Sequence, residues 1–76
     1  MDGEPIVAPS AYRHGVSEQD IRHAHSHPLR VFELDEGFTL VVGANQAAIS
    51  YEVGVVQGEL APVVVYATRA REKFLR

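Results

Sequence analysis

Four side chains in this 76-residue chain have the chemistry to handle a phosphate ester: His14, Tyr66, Arg69 and Arg71. A guanidinium grips phosphate oxygens in a two-pronged hydrogen bond, so Arg69 and Arg71 are candidate cations. An imidazole near neutral pH can take or give a proton, which makes His14 a candidate acid or base. Tyr66 can stack on a base or donate a proton. Each has a plainer reading beside it. The arginines also suit a solvated tail or a partner contact, His14 a helix end where it meets the dipole, and Tyr66 the packing of a sheet.

A second group is the run of histidines. His14, His23, His25 and His27 fall within 14 positions. His23 and His27 stand four apart, so on a helix they share one face, the spacing of a two-histidine metal site. No cysteine is present, and no acid lies between them as in a zinc-protease helix. The reading is therefore exposed or rim side chains, with no metal and no cofactor. Near pH 6 they add positive charge to a helix that also carries Arg22, a second anion-facing patch or a partner surface. Other site classes have no counterpart: there is no glycine-rich phosphate loop, no nucleophile elbow and no cysteine nucleophile. Glu33, Asp35 and Glu36 read as a solvated turn rather than an acid–base pair.

The chain carries 7 basic and 10 acidic residues, a formal charge of −3, which excludes a wholly basic protein that coats nucleic acid. The charge is unevenly spread: residues 1–60 sum to −6 and residues 61–76 to +3. An acidic body with a basic tail draws a polyanion to that tail. Without cysteine there is no disulfide framework and no thiolate zinc knuckle. The longest nearly apolar run, Leu60 to Ala67, is far short of a membrane span. No basic-then-apolar leader opens the chain, so the expectation is a cytoplasmic domain with no signal peptide. A domain this small gains only about 3–5 kcal/mol from one core. A partner protein or a homo-oligomer is the usual further source of stability.

These residues need elements to hold them. Residues 1–9, with Gly3, Pro5 and Pro9, read as an extended lead-in to a single domain over 1–76. Ser10 fits the cap of one helical turn, Ala11 to His14, stopped by Gly15. Ser17 fits a second cap, with Asp20 three residues on in the manner of a capping box and Val16 and Ile21 as a hydrophobic staple. Pro28 ends that helix, so it runs from Glu18 to Ser26. The period then becomes that of strands: Val31 to Leu34, Phe38 to Gly43, Ala47 to Val56 and Val63 to Ala67, separated by glycine-bearing turns. Short connections favour hairpins. The expected fold is α+β: one or two short N-terminal helices packed on a four-stranded antiparallel meander, followed by a basic tail or short helix over 68–76.

The stretch Arg13-His14-Gly15-Val16-Ser17, continued by Asp20-Ile21, resembles the helix start of BrnT-type toxins, which belong to the RelE/ParE superfamily of bacterial toxin–antitoxin modules. The likeness continues through the helix ending at His27-Pro28, the apolar-glycine step Val42-Gly43, the valine-rich hairpin and the strand ending at Ala67 ahead of arginines. It spans roughly residues 12 to 74. It implies a compact fold of helices before a four-stranded antiparallel sheet. It also implies a metal-independent endoribonuclease that inhibits translation, bound by a small antitoxin protein and acting on RNA or the ribosome. Such cleavage needs a base for the ribose 2′-OH, a cation for the phosphorane and an acid for the 5′-oxygen. His14, Tyr66, Arg69 and Arg71 are the candidate catalytic set, with Arg13, Lys73 and Arg76 as RNA contacts. The chain departs from the strongly basic pattern of such toxins, with Ala44 and Thr68 standing where basic residues are usual. That points to the alternative of a non-catalytic interaction module on the same fold. A gyrase-directed toxin is the further alternative that the superfamily offers.

Overall fold

The computed structural model describes residues 4–35 and 37–71. In chain order the elements are β1 (Ile6–Val7), a 3-10 turn (Pro9–Tyr12), α1 (Glu18–Ser26), β2 (Pro28–Asp35), β3 (Phe38–Ala44), β4 (Ser50–Gln57) and β5 (Pro62–Arg69). The strands form one sheet in the order β1-β5-β4-β3-β2, and β1 runs parallel to β5 while the other neighbours are antiparallel.

This corrects the expected fold. The sheet is five-stranded and mixed, not a four-stranded antiparallel meander behind N-terminal helices, and α1 is the only α-helix among the described residues. The difference comes from Ile6 and Val7. Their partners, Val63 and Val64, lie more than 50 positions away. A pairing that distant leaves no local trace in a two-residue stretch set between Pro5 and Pro9. The lead-in is therefore a strand at the sheet edge. Ser10 caps nothing; the 3-10 turn starts on Pro9, and the Ser10 hydroxyl donates to the Val65 carbonyl at 2.8 Å. Val65 is skipped in the β4–β5 register, so this bond satisfies a carbonyl at a bulge. Thr68 and Arg69 of the expected tail belong to β5, and residues 72–76 lie outside the described residues.

Helix α1 forms where its caps place it. The Ser17 hydroxyl accepts from the Asp20 N–H at 3.2 Å, and Glu18 and Asp20 sit in the first turn, beside the positive helix end. Ile21 and Ala24 are fully buried against Val41, Tyr51 and Val53. The helix lies on β3 and β4, and its end comes very close to the sheet at Gly43, where any Cβ would collide with the Ala24 carbonyl oxygen. Gly15 and Gly37 take the left-handed conformation, at φ +80° and +82°. The β3–β4 turn is shaped by Asn45, whose side-chain oxygen accepts from the N–H groups of Ala47 and Ile49.

Strand alternation then divides the side chains. Val41, Tyr51, Val53, Val64, Ala67 and Arg69 face the helix. Phe38, Leu40, Val42, Glu52, Tyr66 and Thr68 face the other way. No helix among the described residues is long and apolar enough to cross a membrane.

Candidate active site

The second face of the sheet carries a buried carboxylate at its centre. Glu52 sits mid-strand in β4, between Val42 of β3 and Thr68 of β5, and is completely buried. A carboxylate there needs compensation. Arg71 supplies it: its backbone N–H reaches Oε2 at 2.8 Å, Nε reaches Oε2 at 2.9 Å and Nη2 reaches Oε1 at 3.2 Å. The Arg71 side chain is more than half exposed, at 57% against 0% for Glu52. The hydrogen bond to Glu52 raises the Arg71 pKa above its usual value, against a smaller opposing effect of burial, with the charges of Glu52 and Tyr66 adding to the rise.

Tyr66 lies on the same face, paired with Gly54. Gly54 makes the room: a Cβ there would stand 2.8 Å from the Phe38 ring tip and 3.1 Å from the Tyr66 Cβ. The Tyr66 ring meets the His14 ring edge-on, with centroids 5.6 Å apart at 78°. The left-handed Gly15 turns the chain immediately after His14. Two contacts thus lie on this face, Glu52 with Arg71 and Tyr66 with His14.

Of the candidate set, the structure brings His14 against Tyr66 and holds Arg71 on Glu52, a residue of the same sheet face as Tyr66. It separates Arg69, which points to the helix face in register with Tyr51. There its positive charge works on the Tyr51 hydroxyl, which donates to Asp20 at 3.3 Å. Burial raises the Tyr51 pKa, as do the charge and hydrogen bond of Asp20, and Arg69 partly offsets them. Arg13 is exposed beside His14 at the end of the 3-10 turn. Lys73 and Arg76 lie outside the described residues. The signal for Glu52 was present but faint: one acid between Tyr51 and Val53, with an arginine two residues past the end of the neighbouring strand.

The histidines form a separate arrangement. His23 Nδ1 lies 2.8 Å from the Ala44 carbonyl and His27 Nδ1 lies 3.0 Å from the His23 carbonyl. A carbonyl only accepts, so both Nδ1 atoms carry the proton in these bonds. The two rings stack, with centroids 4.2 Å apart and planes 11° from parallel. Lone pairs in stacked planes run side by side rather than toward a common point. Among the described residues no three His, Cys, Asp or Glu side chains are grouped to hold a metal. His25 stands near Arg22 and Ser26 on a small cavity, and burial, then the Arg22 charge, lowers its pKa. Glu33 and Asp35 line an open hollow with Phe38 and Gln57 by the β2–β3 turn.

No family model, curated protein or solved structure matches this chain.

Proposed function

We propose that the chain is a toxin-type, metal-independent endoribonuclease working on the second face of its sheet. The observation that supports this reading is one sheet face that carries Glu52 with its partner Arg71, and Tyr66 with its ring against His14. It holds a base, a cation, an aromatic platform and an acid, the groups that cleavage by the ribose 2′-OH requires. The 2′-OH proton passes to Glu52 as the 2′-oxygen bonds to phosphorus. Arg71 turns from the carboxylate to the phosphate and stabilises the five-coordinate state, and in turning uncovers Glu52. His14 protonates the 5′-oxygen as its bond to phosphorus breaks, leaving a 2′,3′-cyclic phosphate. A small antitoxin protein neutralises the site by covering this face, through contacts that weaken with salt.

A second reading has its own observation. Glu52 is closed to solvent, and among the described residues its hydrogen bonds come from Arg71. The same pair serves a non-catalytic interaction module, as a clasp that pins the chain after β5 to the sheet. Expression of the chain alone in bacteria separates the two. The ribonuclease reading expects growth arrest and RNA fragments with cyclic phosphate ends. His14→Ala and Glu52→Gln should relieve both effects, while Arg69→Ala, on the opposite face, should not. Normal growth with intact RNA would remove the ribonuclease reading and leave the clasp.

A further inference from the structure

The sheet has two edges, and they differ. β1 is two residues long and set between Pro5 and Pro9, which lack N–H groups, so that edge offers little to pair with. β2 is eight residues long, and seven of them are exposed. Three large apolar side chains stand in water along it: Leu29, Val31 and Leu34, at 65%, 54% and 55% exposure. Helix α1 lies over β3 and β4 and leaves β2 projecting beyond it. Among the described residues no strand pairs with the outer side of β2, and an edge of this kind is a template for another strand.

The geometry points to a second copy of this chain as the occupant, paired antiparallel β2 to β2 about a two-fold axis through Phe32. A two-fold axis perpendicular to the sheet keeps each side chain on its own face, so opposed residues must come from the same face. Val31 and Glu33 share the helix side, while Arg30, Phe32 and Asp35 share the other. An axis at Arg30 sets arginine against arginine, and an axis at Glu33 sets glutamate against glutamate. An axis at Val31 joins no opposite charges. Only the axis at Phe32 avoids like charges and also brings Arg30 alongside Asp35 of the second copy. That contact forms twice, across the bulge that skips Leu34. It also lays Val31 against the stem of Glu33. Cross-strand pairs of opposite charge are favourable and like pairs are not, so the strand is complementary to itself in this register.

The test is sedimentation of the full chain over about 1 µM to about 1 mM, the range in which a single-strand contact associates. A reversible monomer–dimer equilibrium is expected. Arg30→Asp and Asp35→Arg should each raise the dissociation constant about tenfold, and the double variant should restore it. Both side chains are exposed, so far-ultraviolet circular dichroism should show the native fold in every variant. Val31→Lys gives an independent break on the other face of the same strand. Amide exchange in β2 should slow as concentration rises. A chain that stays monomeric to the top of the range overturns the proposal. So does a dimer indifferent to both single charge reversals, or one the double variant fails to restore. Protection of β2 by an extended basic peptide without self-association would assign the edge to a different occupant.

Discussion

Glu52→Gln isolates the charge of the buried carboxylate at almost unchanged volume. The amide oxygen still accepts from the Arg71 N–H and Nε, which reach Oε2 at 2.8 and 2.9 Å. The amide nitrogen replaces Oε1 and meets Nη2, donor against donor, where a 3.2 Å bond had been. One charge-assisted bond is lost outright and two become weaker, and bonds to charged groups contribute about 1.5–3 kcal/mol each. Breaking a buried pair by removing one charge costs about 3–5 kcal/mol, and an exposed pair contributes about 0–1. Glu52 is enclosed but its partner is half in water, so a loss of about 2 kcal/mol is expected between those limits. In a domain of this size that lowers the melting temperature by about 8–16 °C. The molecule carries its own control. Glu18 and Arg22 form an ion pair at 2.8 Å, as short as the 2.9 Å of Glu52 and Arg71, but here the carboxylate is more than half exposed and the arginine partly so. Glu18→Gln should therefore cost less than about 1 kcal/mol, its helix-terminal charge included. Urea unfolding of both variants, followed by circular dichroism, measures the contrast. A Glu52→Gln loss no larger than that of Glu18→Gln would refute the reasoning that burial, not distance, sets the strength of the pair.

Gly43→Ala should cost about 3 kcal/mol, because its Cβ drives the Ala24 carbonyl off the sheet, and the same urea experiment reads it. Ser17→Ala should cost about 1 kcal/mol by orphaning the Asp20 N–H at the start of α1. The lowered His25 pKa has a defined sign. As pH falls below the ordinary value of 6.5, the unfolded chain takes the proton first. Stability is therefore fully present above about 6.5 and declines as pH falls from there toward the lowered folded pKa. His25→Gln should flatten that part of the curve, seen in urea midpoints between about pH 7.5 and about pH 5.5.

Much of this was legible because it was local. The Ser17 cap, the Val16–Ile21 staple and Pro28 fix the helix at Glu18–Ser26, the span the sequence predicts. The alternation of Tyr51, Val53 and Val55 gives the buried face of β4, and the left-handed Gly15 and Gly37 mark their turns. What escaped was non-local. Ile6–Val7 becomes a strand only when Val63–Val64 is beside it, so the fifth strand and the parallel pairing had no signature. Ala47 to Ile49 read as strand, yet Asn45 folds them into a turn, with Ala48 at φ +66°. Glu52 sits where alternation predicts the polar, outer side of a strand. Its burial depends on an arginine 19 positions later, which no window of sequence links to it. For the same reason Arg69 and Arg71, two positions apart in sequence, part company where β5 ends.

The proposed chemistry is tested most directly by incubating the purified chain, with a chelator present, with single-stranded RNA and with the same RNA carrying 2′-deoxyribose throughout. That chemistry predicts cleavage of the ribose strand alone, products ending in a 2′,3′-cyclic phosphate, and loss of cleavage in Glu52→Gln and His14→Ala. Folded wild-type protein that leaves RNA intact, or cleavage that survives either substitution, would contradict it.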